Sequence, residues 1–293
     1  MGQLLQLFDE DQAPQPATKD IPRNRAEIVV GDVRKVLHGF PDGLFQTCVT
    51  SPPYWGLRDY GVDGQIGAEA DMRDYIKDLV SVFREVRRVL ADDGTFWLNI
   101  GDSYTSGGRT WRDADVKNKG RGMSYRADTP EGLKPKDLVG IPWRLAFALQ
   151  DDGWYLRTDI IWNKPNCQPE SVKDRPTRSH EFVFLFSKSE KYFYDHEAVK
   201  EPALDPKQKS KNRRTVWNIN TEPYPGSHFA VYPRELVRLC VKAGSRPGDR
   251  VLDPFFGSGT TGVVCNELER QCTGVELNEE YAELARKRLL KGK

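Results

Sequence analysis

The chain has 293 residues, 38% of them hydrophobic and 30% charged, with a formal net charge of +1. That length and balance fit an ordinary soluble globular protein with a full-sized core, and they exclude polyanion binding by bulk charge. No run of about 18 apolar residues exists, which excludes a transmembrane helix. The acidic, proline-bearing N-terminus lacks the basic-then-apolar order of a signal peptide, so a cytoplasmic protein is expected.

Residues 1–24 read as a loose tail. Its segment QLLQLF (Gln3 to Phe8) faintly resembles peptides that dock on a replication sliding clamp, but the spacing is off by one residue. The β-branched runs AEIVVGD (Ala26 to Asp32) and TCVTS (Thr47 to Ser51) predict strands. TSPPYWGLRDYG follows, from Thr50 to Gly61. Proline locks φ and has no N–H, so Pro52 and Pro53 hold the chain rigid beside Tyr54 and Trp55, an arrangement suited to a planar ligand. Met72, Ile76, Leu79, Phe83, Val86 and Leu90 have helical spacing, with ADDGT as the closing turn and TFWLNI as the next strand.

Residues 103–136 break the pattern, and a loop of that length inside a compact domain is usually functional or disordered. LVGIPWRLAFALQDDG predicts a helix ending at Gly153, and YLRTDIIWNK and HEFVFLFSKS predict an antiparallel strand pair. Residues 195–227 are again polar and proline-marked. The remainder reads helix, strand RVLDPF, glycine turn, helix, strand QCTGVEL, helix. Such a βαβ run implies a parallel sheet and an α/β fold.

Charge is uneven along the chain. Residues 103–136 carry eight Lys/Arg against four Asp/Glu, and residues 200–216 carry six against two. Two basic loops flanking a pocket form an electrostatic footprint for phosphates; otherwise they are solvated loops. The five cysteines contain no C-x-x-C pair, so free thiols are expected rather than a disulfide frame or a zinc site, and no metal is expected.

VLDPFFGSGTTG places Gly257 and Gly259 between a strand and a helix, where the backbone approaches a ligand closely. No lysine follows the glycines, which rules out a P-loop, and GSGTTG is a weak match to the dinucleotide pattern. Glu276 ends the next strand, the position that accepts hydrogen bonds from ribose hydroxyls in Rossmann-like folds. Asp253 adds a carboxylate suited to a cationic amine. A nucleoside bearing an amino acid fits both, and the combination points to S-adenosylmethionine.

With both motifs in place the sequence resembles the β-group DNA amino-methyltransferases, which methylate N4 of cytosine or N6 of adenine. Ser51–Pro52–Pro53–Tyr54 resembles their catalytic tetrapeptide [DNS]-P-P-[YFW], and Phe255 to Gly259 resembles their F-x-G-x-G cofactor motif. The catalytic motif comes first, the circularly permuted order of that group. The resemblance implies a Rossmann-like methyltransferase domain over residues 25–293, a mostly parallel sheet with an antiparallel hairpin, and S-adenosylmethionine as cofactor. It implies that Asp32 meets the cofactor's adenine and that HFAVYPRELV, with Phe229 and Tyr232, closes over its methionine part. Phe255, Gly257, Gly259, Thr260 and Glu276 complete the implied cofactor set. Duplex DNA is the implied substrate, with a homodimer and a cognate restriction endonuclease as implied partners. The target-recognition region departs from the family: residues 195–227 are short for the task, and residues 103–136 are expected to share it.

Chemically, an exocyclic amine is a poor nucleophile because its lone pair is delocalised into the ring. Ser51 Oγ and the Pro52 carbonyl, held rigidly, are acceptors that draw the nitrogen towards tetrahedral geometry. Tyr54 offers a stacking face to a base rotated out of the duplex. No cysteine lies in a Pro-Cys context, which disfavours C5 chemistry. Serine in the tetrapeptide is associated in the family mainly with cytosine, so N4-cytosine is the expected target, with N6-adenine and an RNA or other amine as alternatives. Trp55, Lys164, Arg213, Arg214 and Trp217 are the expected DNA contacts. Arg175, Arg178, His180 and Glu181 are expected as a polar network behind the pocket.

Overall fold

The computed structural model describes residues 26–57, 62–105, 127–203, 205, 207–222 and 231–291. The tail with its QLLQLF segment, Phe229, and most of residues 103–126 lie outside them.

The strands are β1 (Ala26–Val30), β2 (Phe45–Thr50), β3 (Leu90–Ile100), β4 (Tyr155–Asn163), β5 (His180–Ser187), β6 (Glu201–Pro202), β7 (Ser210–Lys211), β8 (Val216–Asn218), β9 (Arg250–Asp253) and β10 (Gln271–Glu276). The helices are α1 (Val33–Val36), α2 (Met72–Val89), α3 (Ile141–Asp151), α4 (Arg234–Gly244), α5 (Thr260–Glu267) and α6 (Glu279–Lys291). Eight strands form one sheet in the order β1-β10-β9-β2-β3-β5-β4-β8, and β6 pairs with β7 apart from it.

From β1 to β3 all neighbours are parallel; β5 runs antiparallel to both β3 and β4, and β8 is parallel to β4. The mostly parallel sheet with an antiparallel hairpin is therefore as the sequence implies. Side chains alternate across a strand, and β3 shows it: Phe96 and Leu98 join a core with α2 and α3, while Trp97 joins a second core with α4 and α5. Helices cover both faces, as a parallel sheet requires.

Local chemistry sets the element ends. Asp71 caps α2 by accepting from the Arg73 N–H at 2.7 Å. The α2 stripe of Met72, Tyr75, Leu79, Val82, Phe83 and Val86 is buried. Helix α3 starts at Gly140, which has no capping side chain, and Asp102 at the end of β3 supplies the cap by accepting from Gly140 N and Ile141 N at 2.9 and 3.1 Å.

Two expectations are corrected. ADDGT is no closing turn: α2 ends at Val89 and β3 begins at Leu90, and the register steps from Phe45↔Leu90 to Thr47↔Thr95 through a bulge that absorbs those residues. Within residues 195–227 the structure has three short strands, and β8 extends the main sheet. A three-residue strand carries too little periodicity to stand out in sequence. All five cysteines are free, four of them buried.

Candidate active site at the carboxyl edge of the sheet

Because β1, β10, β9, β2 and β3 are adjacent and parallel, their carboxyl ends share one rim, where open α/β sheets bind ligands. Asp32 follows β1, Glu276 ends β10, the glycine turn follows β9, Ser51–Tyr54 follows β2, and Asn99 lies near the end of β3. The antiparallel β5 brings Glu181 to the same rim by its amino end, opposite Trp162 of β4. A cavity of 420 Å³ runs along this edge, lined by Asp32, Ser51, Tyr54, Lys164, Gly257 and Glu276 among others.

At the glycine end, Gly257 and Gly259 have φ of +51° and +78°, left-handed values that favour glycine. A Cβ on Gly257 would meet nothing within 4 Å, so its backbone stands open to a ligand. The Glu276 carboxylate accepts from Gly257 N at 2.8 Å and from Asn278 N at 2.9 Å, one bond to each oxygen. A carboxylate has about four acceptor sites, and the neighbouring backbone N–H groups of Gly257, Leu277 and Asn278 do not fill them all. Burial, the largest influence, holds this carboxyl above the ordinary glutamate range against those bonds.

Asp32 lines the cavity while capping α1 and forming a two-point ion pair with Arg34, whose guanidinium holds the carboxyl below its usual range. Phe255 lines the cavity and meets Phe83 edge-on at 6.2 Å. The Thr260 hydroxyl accepts from Arg288 of α6 at 2.9 Å, and Arg288 also reaches Ser258.

Asp253 departs from its expected role. It is fully buried, and its oxygens accept from Thr50 Oγ1, Phe255 N, Tyr232 Oη and Thr261 Oγ1 at 2.6, 3.1, 2.9 and 2.5 Å. Thr50, the Phe255 N–H and the Tyr232 and Thr261 hydroxyls, which also bond each other at 2.5 Å, enclose the carboxylate, and it is not among the residues lining the cavity where a ligand's amine would lie. Asp253 instead ties β9, β2, α5 and the Tyr232 segment together beneath the cavity. Burial raises its pKa, opposed by the hydroxyl bonds.

At the other end, Pro53 O accepts from Tyr75 Oη at 2.8 Å, whereas no donor among the described residues takes the Pro52 carbonyl. Gly101 makes room for Tyr54, since a Cβ there would stand 2.7 Å from the ring. Tyr54 Oη donates to Glu181 Oε2 at 2.7 Å and accepts from Ser51 Oγ at 3.4 Å. Asn99 Nδ2 donates to the same Glu181 oxygen at 3.1 Å, and Lys164 pairs with Oε1 while its ammonium sits 4.3 Å from the Trp162 ring centre. Burial first, then the Glu181 charge, push the Tyr54 phenol well above its usual pKa.

The expected network around Glu181 is divided. Glu181 faces the cavity, Arg178 lies 3.9 Å from Asp102, and Arg175 pairs with Glu170 and covers the Tyr104 ring at 4.0 Å. Two of the expected DNA contacts lie inside the protein. Trp55 and Trp217 are buried, with indole N–H groups donating to Glu69 O and Arg214 O at 2.9 and 2.8 Å. An indole with an apolar neighbourhood and a nearby carbonyl is most stable inside. Arg213 Nε is engaged by Val199 O at 2.8 Å, while Arg214 is exposed. Sequence reasoning missed Asn99 and Thr50, whose roles come from strands brought together by the sheet order, and Tyr75, which reaches Pro53 O from α2.

Comparison with known proteins identifies the family and the fold. The DNA methylase family of the N6/N4 type matches residues 45–287. The type II methyltransferase M.SmaI of Serratia marcescens is 75% identical over 98% of this chain and 97% of its own length. M.Cfr9I of Citrobacter freundii is 62% identical over 91% of this chain and 88% of its own. Among solved structures, the Thermus thermophilus protein TTHA0409, a putative DNA modification methylase complexed with S-adenosyl-L-methionine, superposes with a TM-score of 0.63 at 26% identity. That match spans 91% of this chain and 94% of the other. The cytosine-N4-specific PvuII DNA methyltransferase shares the fold, with a TM-score of 0.67 at 21% identity over 92% of this chain and 94% of that one. By motif, rim and relatives alike, the chain belongs to the N6/N4 family of DNA methylases.

Proposed function

We propose that this chain transfers a methyl group from S-adenosylmethionine to N4 of cytosine in duplex DNA, with the target base rotated out of the helix into the cavity. The observation that carries the reading is that one cavity joins the glycine turn and Glu276 to Ser51 and Tyr54. Methyl donor and acceptor amine then meet without leaving protein cover.

The cofactor end suits a nucleoside carrying a cationic amino acid. Glu276 has acceptor sites left for ribose hydroxyls, Asp32 and Phe255 flank it, and the open backbone at Gly257 admits close approach. Bound there, the cofactor supplies an electrophilic methyl group. The protein's residues prepare the amine: Ser51 Oγ and the Pro52 carbonyl accept its hydrogens, and Tyr54 stacks on the base, worth about 1–3 kcal/mol. Trp162 and Lys164 close the far wall. Serine in the tetrapeptide supports cytosine over adenine. The basic residues of 103–136 and 195–227 are the proposed DNA-contact regions, and their phosphate contacts make affinity fall steeply with salt. The type II relatives support a place beside a restriction endonuclease of the same specificity, and a homodimer is the proposed assembly.

The deciding experiment is methyl transfer from labelled S-adenosylmethionine to unmethylated genomic DNA, followed by nucleoside digestion and mass analysis. N4-methylcytosine is expected, and Ser51→Ala should abolish most of it, by about 100-fold or more, while cofactor binding persists. N6-methyladenine would overturn the base assignment. Methyl on RNA alone would overturn the substrate.

A further inference from the structure

Methylating an exocyclic amine leaves one proton too many on the nitrogen. The rim holds a chain of hydroxyls that begins at the reacting position and ends on a carboxylate. Ser51 Oγ donates to Tyr54 Oη at 3.4 Å, and Tyr54 Oη donates to Glu181 Oε2 at 2.7 Å. The end of the chain dictates its direction, because an ionised carboxylate only accepts. The Tyr54 proton is committed to Glu181, the Tyr54 oxygen therefore accepts from Ser51, and Ser51 Oγ turns its lone pairs to the cavity. That is the polarity a serine must have to accept an amine hydrogen. The first link is long, as catalytic hydrogen bonds commonly are before substrate binds.

We propose that Ser51, Tyr54 and Glu181 are the exit path for the amine proton, an inference that rests on the methyl-transfer reading above. As nitrogen bonds to the methyl carbon, the donor's carbon–sulfur bond breaks and its electron pair stays on sulfur. The surplus N–H proton passes to Ser51 Oγ, the Ser51 proton to Tyr54 Oη, and the Tyr54 proton to Glu181 Oε2. Nitrogen ends neutral and both hydroxyls end as they began. The positive charge that arrived on sulfur is cancelled by the negative charge of the glutamate.

Ser51 touches the substrate; Tyr54's hydroxyl and Glu181 act through it. The stacking role of Tyr54 needs only its ring, so the hydroxyl is the part this path explains. The titratable and charged groups around Glu181 are Lys164 from the end of β4, Tyr54 with Tyr75 of α2 behind it, and His180 beside it on β5 with Arg178 preceding. Asn99 of β3 adds a neutral donor. Lys164 pairs with Oε1, so Oε2 is the oxygen that faces the Tyr54 hydroxyl.

The test is single-turnover methylation of duplex DNA across pH by the wild type, Tyr54→Phe, Glu181→Gln and His180→Gln, with cofactor affinity measured by calorimetry. Tyr54→Phe removes one oxygen and no packing, so it carries the test even if Glu181→Gln folds poorly. Its rate should fall about 100-fold, the scale of a lost proton-transfer group, with cofactor and DNA affinity unchanged. The acidic limb of the wild-type rate profile should vanish in Glu181→Gln and persist in His180→Gln. Infrared difference spectra after one turnover should show a newly protonated carboxyl in the wild type and none in Glu181→Gln. Tyr54→Phe turning over at the wild-type rate, or a wild-type turnover that protonates no carboxyl, would overturn the path. A wild type that leaves no methyl on DNA would instead overturn the reading beneath it.

Discussion

Thr50 Oγ1 donates to Asp253 Oδ1 at 2.6 Å, with both residues fully buried. The two lie 203 positions apart in sequence, yet each stands at the carboxyl end of its strand, Thr50 one residue before the catalytic motif and Asp253 two before the cofactor motif. The bond fixes the distance between the two halves of the site. Thr50→Val keeps the shape and removes the donor, leaving a buried carboxylate oxygen short of a partner. It should cost about 1–3 kcal/mol of stability and lower both cofactor affinity and turnover. Thermal unfolding and calorimetric titration check this; loss of stability with neither functional effect would show that the tie is only structural.

Cofactor affinity should depend on pH through Glu276. Its folded pKa is raised by burial, so in the free protein Glu276 contributes stability below its unfolded pKa that is lost as pH rises through the folded value. Binding reverses the preference, since ribose hydroxyls need the ionised acceptor. Affinity should therefore weaken as pH falls through that raised value. Glu276→Gln should weaken binding about 10-fold to 100-fold, the scale of a charged hydrogen bond, and flatten its pH dependence. Calorimetric titration at several pH values reads both.

Phe256 is buried against three glycines. A Cβ on Gly274 would stand 2.2 Å from its ring, one on Gly262 2.8 Å and one on Gly259 3.2 Å. Gly262, the third glycine of GSGTTG, thus serves close helix–strand packing rather than ligand approach. Gly274→Ala should cost about 1–3 kcal/mol through overpacking and displace the glycine turn. Adding Phe256→Leu should recover part of both the melting temperature and cofactor binding.

Arg214 and Trp217 lie three residues apart and should respond differently. Arg214→Ala should weaken DNA binding and reduce the salt slope by about one. Trp217→Ala should lower the melting temperature, by about 3–5 kcal/mol in stability, because the indole packs in the core near Trp97 at 6.5 Å. Filter binding across a salt series and thermal melts separate the two.

The sequence by itself determined the residues whose chemistry is local. Pro52 and Pro53 announce a rigid segment because proline's constraint lies within its own ring, and Gly257 and Gly259 announce a turn because only glycine adopts such φ freely. The apolar spacing of α2 and the βαβ run at the end were legible for the same reason: periodicity is written along the chain. The tertiary structure alone decided what depends on sheet order. It showed that Asp253 is buried among Thr50, Thr261, Tyr232 and a backbone N–H, whereas Glu276 lines the cavity. It moved Trp55 and Trp217 from expected DNA contacts into the core, and it set Asn99, Glu181 and Lys164 around Tyr54. A carboxylate's role is set by how many donors reach it, and an aromatic ring's by what covers it. Both are sums over neighbours contributed by distant strands, and local sequence spacing does not record those sums.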